Sequence, residues 1–312
     1  MHHSTIDIWS GLTYLGEGPD GFRPVLETYV LKGAKQRPAV LIFPGGGYQV
    51  TSPRESEPIA IQFAAAGYHA FVLHYSVNPR RHPLPILDAS RAMCIIRENA
   101  EAWRVDPDKI AVCGFSAGGH LAASLGVHWD KEFATSAEGI QPGMNRPNAL
   151  ILCYPVITRN QFAHRGSFVN LLGKDADQQL LDLMSLDMQV SEKTPPTFLW
   201  HTYEDQSVPV ENSLLFAAGL RKHGIPFEMH IYPKGRHGLS TATPETCQGD
   251  MIPDPHVATW MGLCIELSPI TKFPRGCVKQ FPHPAVVKFP RWVARIFSSR
   301  SDRHLLLVNW KR

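Results

Sequence analysis

The chain has 312 residues and a mass of 34.8 kDa, enough for a large buried core within one α/β domain. Hydrophobic residues make up 44% and charged residues 19%, the balance of a globular protein rather than a disordered or fibrous one. A formal net charge of +3 gives no global reason to expect nucleic acid as a partner, and no apolar run approaches the roughly 18 residues that a bilayer span requires.

Residues 1–14 are polar and mixed, without the basic and apolar regions of a signal peptide, so a cytoplasmic location is the expectation. Ala39-Val-Leu-Ile-Phe43 is a compact strand-like run ending in the loop Pro44-Gly45-Gly46-Gly47-Tyr48. Residues 57–66 read as a helix stopped at Gly67, residues 68–75 as a strand, and 85–103 as a helix with Ile86, Ala89, Ala92, Met93 and Ile96 on one side. A short strand over 109–114 is followed at once by a small-residue helix over 117–125. Further strands are expected over 149–154, 197–201 and 227–232, with a helix over 211–223. Residues 156–192 are less regular and suit an insertion above the sheet. Strands alternating with helices imply right-handed βαβ units and a mostly parallel sheet with helices on both faces.

The last 48 residues break this rhythm. Prolines 269, 274, 282, 284 and 290 punctuate residues 265–312, which hold ten Lys/Arg against Glu266 and Asp302. We read residues 1–264 as the catalytic domain and 265–312 as a basic extension outside its core. The six cysteines are scattered, which suits reduced thiols better than a disulfide framework or a metal site.

Gly114-Phe115-Ser116-Ala117-Gly118 matches G-x-S-x-G with a strand before it and a helix after it, the context this motif needs. The nucleophile of such an elbow sits on a strained turn, so its neighbours at two residues' distance must be small. Its Oγ then projects beside a helix N-terminus, where partial positive charge favours an oxyanion. Gly46 and Gly47 follow a strand and can aim backbone N–H groups at a substrate carbonyl together with the amide of Ala117. A phosphate loop is excluded because the Lys-Ser/Thr of that motif is missing.

The partners of such a serine follow it in the order Asp/Glu, then His. Asp205 lies just after the strand over 197–201, where a carboxylate can reach an imidazole; Glu204 competes for the role, and Asp205 could instead cap the next helix. His237, beside Gly238, lies beyond the last strand. Of the 15 histidines, His120, His128, His164, His201 and His230 are its rivals, but His237 alone combines chain order, loop position and an adjoining glycine. Ser116, Asp205 and His237 would then act as nucleophile, orienting acid and general base in acyl transfer, with no metal or cofactor required.

Several segments carry a resemblance. Phe43-Pro-Gly-Gly-Gly-Tyr48 with Arg54-Glu55, Asp106-Pro-Asp-Lys-Ile110, Gly114-Phe-Ser-Ala-Gly-Gly-His120, Tyr154-Pro-Val156, Thr194-Pro-Pro-Thr-Phe198, Asp205 with Val208-Pro209, and His237-Gly238 run in order over residues 25–262. On these the chain resembles the bacterial acetyl esterase and acetylxylan-esterase-like enzymes of hormone-sensitive-lipase type, within the α/β-hydrolases. Pro44 replaces the His that opens the His-Gly-Gly-Gly loop of the lipase-like branch. The resemblance implies Ser116, Asp205 and His237 as the triad and Gly46, Gly47 and Ala117 as oxyanion amides. The substrate it implies is a short acyl ester, with O-acetyl groups of xylo-oligosaccharides in view. The competing readings are a serine oligopeptidase-like peptidase and an inactive binding protein of the same fold. The first usually adds a gating domain, for which there is no room before residue 39, and the second leaves three filled triad positions unexplained.

Overall fold

The structure, a computed structural model, describes residues 1–266; most of the basic extension therefore lies outside the described residues. Two strands that the apolar pattern did not announce come first, β1 (His2–Asp7) and β2 (Val25–Val30). Most side chains of β1 are exposed, so it carries no apolar alternation to read. Next come β3 (Arg37–Phe43), helix α1 (Glu57–Ala65) and β4 (His69–His74). The helix expected over 85–103 is two, α2 (Leu84–Glu98) and α3 (Ala100–Trp103). They are divided at Asn99, whose side chain turns back to donate to the Ile95 carbonyl at 2.8 Å.

Strand β5 (Val105–Phe115) starts four residues earlier than expected, because Val105 pairs with Arg37 across an irregularity before the regular ladder begins at Ile110. It runs directly into α4 (Ala117–His128), followed by a short α5 (Glu132–Thr135) and β6 (Ala149–Cys153). Residues 156–192 hold α6 (Arg165–Leu172), α7 (Gln178–Leu183) and a 3-10 turn at Leu186–Met188. The chain then adds β7 (Thr197–Thr202), α8 (Glu211–Lys222), β8 (Phe227–Tyr232) and α9 (Thr259–Glu266).

The eight strands form one sheet in the order β1-β2-β4-β3-β5-β6-β7-β8. Only the β1–β2 and β2–β4 pairs are antiparallel; β4 through β8 are parallel neighbours. Because successive side chains point to opposite faces, each central strand feeds two cores. Leu41, Phe43, Ile110 and Val112 pack with α2, α4 and α8, while Val40, Ile42, Ala111 and Cys113 pack with α1 and α9. Cys94, Cys113, Cys153 and Cys264 are buried free thiols and Cys247 is half-buried and free. No described helix is long and apolar enough to cross a membrane.

Helix α9 packs on the core before the expected boundary at 264 and runs two residues past it. Its Trp260, fully buried, stacks on Trp200 of β7 at 5.2 Å and donates its indole N–H to the Ser240 carbonyl at 2.9 Å. Replacing it removes both a large packed side chain and that hydrogen bond. Trp260→Ala is expected to lower unfolding free energy by about 3–5 kcal/mol, measurable as a fall in urea midpoint at unchanged slope.

Candidate active site

Ser116 sits between the end of β5 and the start of α4 with φ 52° and ψ −116°. A non-glycine residue held there costs about 1–3 kcal/mol, so its surroundings must fix it. They do so through its own peptide groups. Its N–H donates to the Cys153 carbonyl at 3.0 Å, and its carbonyl accepts from His120 N at 3.1 Å and Val156 N at 3.0 Å. The flanking glycines are steric necessities. A Cβ on Gly114 would come closer than 3.0 Å to the Gly118 carbonyl, and one on Gly118 equally close to the Phe43 carbonyl.

Asp205 and His237 reach this serine from the loops after β7 and β8, the C-terminal ends of parallel strands where such a fold gathers its ligands. His237 Nε2 lies 2.7 Å from Ser116 Oγ, and its Nδ1 lies 2.6 Å from Asp205 Oδ2. The other oxygen of Asp205 accepts from Ser207 N at 3.0 Å and Val208 N at 2.9 Å, so the loop folds around the carboxylate. Burial alone would raise its pKa. Hydrogen bonds from His201 and His237, together with the backbone N–H of Val208, outweigh that and hold the carboxyl well below the usual carboxylate range. Nδ1 of His237 therefore carries the proton and donates to Asp205, leaving Nε2 to accept from the Ser116 hydroxyl.

Glu204, the competing acid, is exposed and accepts from Gly235 N, in the loop after β8, at 3.4 Å. The rival histidines are accounted for separately. His201 is fully buried behind Asp205, donating through Nε2 to the Val208 carbonyl and accepting at Nδ1 from Ser213 Oγ, both at 2.8 Å. His120 bonds the Met184 carbonyl and the Tyr48 hydroxyl, each at 2.9 Å, and burial pushes its pKa down to about 4. His128 donates to the Leu183 carbonyl at 3.0 Å, and His230 pairs with Glu228 at 2.6 Å. His164 precedes α6, where its Nδ1 accepts from Ser167 N at 3.3 Å.

The glycine loop after β3 presents its amides in a definite way. The Gly45 carbonyl accepts from Ser52 N at 2.9 Å, and the Gly46 carbonyl from Gln49 N at 2.9 Å and Val50 N at 3.2 Å. In a trans peptide the N–H points opposite to the C=O, so anchoring these two carbonyls turns the amides of Gly46 and Gly47 the other way. The same holds for the Ser116 carbonyl and the amide of Ala117. None of these three amides donates to an acceptor among the described residues. Gly46 and Gly47 adopt φ values of 128° and 64°, which favour glycine at both positions.

One feature of the site was not anticipated from sequence beyond its membership in the matching segments. Glu55, buried at 4% exposure, accepts from Gly45 N at 2.7 Å and from the Tyr154 hydroxyl at 2.6 Å. That hydroxyl in turn accepts from Ser240 N at 2.9 Å, and the Tyr154 ring meets the His237 ring edge-on at 5.1 Å. Arg54 donates to the carbonyls of Gly238 and Thr246. The glycine loop, the end of β6 and the His237 loop are thus tied together by two adjacent residues. Only the position of an Arg-Glu pair shortly after the glycines hinted at this. Tyr154→Phe should leave a buried carboxylate oxygen and a buried N–H unpaired and cost roughly 1–3 kcal/mol for each, read as a lowered melting temperature.

With this geometry established, similarity to known proteins becomes informative. The BD-FAE family model matches residues 26–220. Endo-1,4-beta-xylanase B of Butyrivibrio fibrisolvens is 40% identical over 78% of this chain, and the acetylxylan esterase of Xylanibacter ruminicola 31% identical over 66%. The chain spans only 39% and 42% of the length of these two relatives. Among solved structures, the acetyl ester-xyloside bifunctional hydrolase of Caldicellulosiruptor lactoaceticus is 44% identical with a TM-score of 0.77, the match covering 85% of this chain and 94% of that one. From its family match, its sheet order and its elbow, the chain belongs to the BD-FAE family of the α/β-hydrolase superfamily.

Proposed function

We propose that the chain is a serine carboxylic-ester hydrolase for short acyl esters, acting on O-acetyl groups of xylo-oligosaccharides or related carbohydrates. The observation that carries the reading is the unbroken contact from Ser116 Oγ through His237 to the buried Asp205 carboxylate, on a strained elbow facing three free amides. An inactive binding protein would have no use for this arrangement. The substrate class rests on the relatives, whose names join acetyl esters with xylan or xylosides.

The chemistry follows from the positions of the atoms. Ser116 Oγ attacks the ester carbonyl carbon as its proton passes to His237 Nε2. The imidazolium so formed is stabilised by the Asp205 carboxylate, which stays ionised because its carboxyl is held so low. Charge developing on the carbonyl oxygen is met by the amides of Gly46, Gly47 and Ala117, which need no reorganisation because their peptide planes are already fixed. Collapse of the tetrahedral adduct breaks the C–O bond, and His237 returns the proton to the departing alcohol. Water, activated by the same imidazole, then attacks the acyl-Ser116 ester, and the second collapse releases the acid and regenerates the serine.

Ser116→Ala should fold normally and lose at least about 10⁴-fold in kcat on an aryl acetate, since the nucleophile and not the binding is removed. Equal activity in that variant would sink the assignment. Asp205→Asn should lose about 10⁴-fold as the imidazole takes the wrong tautomer. Glu204→Gln, altering an exposed side chain, should leave kcat unchanged; a larger loss there than at Asp205 would reverse the choice of acid. For the substrate, acetate release from acetylated xylo-oligosaccharides is the measurement, and turnover of simple esters with no such release would remove the carbohydrate from the proposal.

A further inference from the structure

The glycine loop after β3 is held at most of its backbone groups. Tyr75 donates its hydroxyl to the Pro44 carbonyl at 2.7 Å, and Glu55 takes the Gly45 N–H at the same distance. The Gly45 and Gly46 carbonyls accept from Ser52, Gln49 and Val50 N. Asn170 fills the Gly47 carbonyl and Asn78 N the Tyr48 carbonyl, both at 2.8 Å. These contacts fix the loop against itself, against the segment after β4 and against α6. None of them reaches α4, whose first residue, Ala117, supplies the amide on the other side of the oxyanion.

One side chain of the loop does reach α4. The Tyr48 hydroxyl lies 2.9 Å from His120 Nδ1, and among the described residues this is the only hydrogen bond between the glycine loop and that helix. Its direction is fixed by the far side of the ring. His120 Nε2 lies 2.9 Å from the Met184 carbonyl, which can only accept, so Nε2 carries the ring proton. Burial keeps the imidazole neutral, so Nδ1 is an acceptor and the Tyr48 hydroxyl donates to it. Ser124 Oγ, 3.5 Å from the same nitrogen, is at the limit of hydrogen-bond reach and no substitute. Tyr48 and His120 are buried, at 2% and 1% exposure, so the bond is made away from water.

Both ends of this bond are attached to the peptide groups that matter. Tyr48 follows Gly47 directly and sits at φ 58°, a conformation that a tyrosine keeps only when its surroundings hold it. His120 donates its own N–H to the Ser116 carbonyl at 3.1 Å, the carbonyl of the peptide that carries the Ala117 amide. We propose that Tyr48 and His120 are positioning residues that set the separation between the glycine amides and the Ala117 amide, so that one oxyanion can meet both sides at once. This rests on the acyl-transfer reading above and deepens it. Being buried, the two side chains act through the backbone rather than on the substrate. A glycine loop free to drift from α4 would still admit the ester but would meet the developing charge with one side out of line.

The test begins with Tyr48→Phe, which removes only the hydroxyl. On phenyl acetate it should lower kcat about tenfold with KM little changed, since a misplaced donor weakens transition-state and not ground-state binding. A trifluoromethyl ketone, which adds to Ser116 and sets an oxyanion against the same amides, should lose about tenfold in affinity as well. His120→Leu should match Tyr48→Phe, and the double variant should be no worse than either, because each removes the same bond. His120→Gln, which keeps an acceptor and a donor on one side chain, should retain most of kcat. All are assayed well below their melting temperatures; if His120→Leu does not fold, Tyr48→Phe with the ketone decides alone. A lower melting temperature with kcat and ketone affinity unchanged would overturn the proposal, as would additive losses in the double variant. A wild-type chain that leaves phenyl acetate intact, or keeps its rate as Ser116→Ala, would instead overturn acyl transfer itself.

Discussion

Three peptide groups govern the candidate site: those joining Gly45 to Gly46, Gly46 to Gly47, and Ser116 to Ala117. Each has its carbonyl gripped by backbone N–H donors from nearby chain, and each therefore turns its own N–H away from those donors. The grip explains why the local conformations are tolerated. Positive φ at Ser116, at Gly46 and at Gly47 would be costly in a free loop, yet two of the three residues are glycines and the third is held on both sides by strand β6 and the segment after it. Catalytic electrostatics of this kind works only if the dipoles are set before the charge appears. The fold supplies that by placing the ends of β3 and β5 side by side, with Phe43 paired to Gly114.

The charge on Asp205 is the second constraint. A carboxylate without solvent contact is expensive unless its lone pairs are filled, and here two backbone amides and His237 fill them, with His201 Nε2 3.4 Å from Oδ2. His201 is itself locked between Val208 and Ser213, so the acid is braced from behind as well as from the loop. Glu55 solves the same problem differently, taking one backbone N–H and one phenol. Both buried acids at the site are consequently committed to holding other groups. Neither is free to serve as one of the paired carboxylates that glycoside cleavage uses.

Much of this was legible in the sequence because the chemistry dictates residue types at particular junctions. The elbow needs small residues around Ser116, and Gly114 and Gly118 stand where a Cβ would strike a carbonyl. Chain order and the ends of strands were enough to single out His237 among 15 histidines. They were not enough to separate Asp205 from Glu204, because neighbouring residues on a loop point in directions that only the folded turn decides. Strand β1 was invisible since most of its side chains are exposed, and β5 was cut short because Asp106, Pro107 and Asp108 interrupt its apolar pattern after the buried Val105. The Glu55–Tyr154 contact joins residues 99 apart in sequence, a separation at which no local pattern survives. His164 could be named as a rival base but not placed, since its position depends on how α6 docks against the glycine loop.

These elements divide the site into a rear and a front. Everything behind the scissile bond is tied to the sheet: the amides through their carbonyls, Asp205 through its loop, His237 through Tyr154 and the Arg54–Glu55 pair. The front is furnished by residues 156–192, which share the main core through Val156, Ile157, Phe168, Leu171, Met184 and Leu186 and reach the glycine loop through Asn170 on the Gly47 carbonyl. Asn170 grips Gly47 by the carbonyl, so it steadies the loop without occupying the amide that faces substrate. Such an arrangement suits a fold whose chemistry is constant and whose substrates vary, because side chains over the site can change without moving the peptide planes behind it.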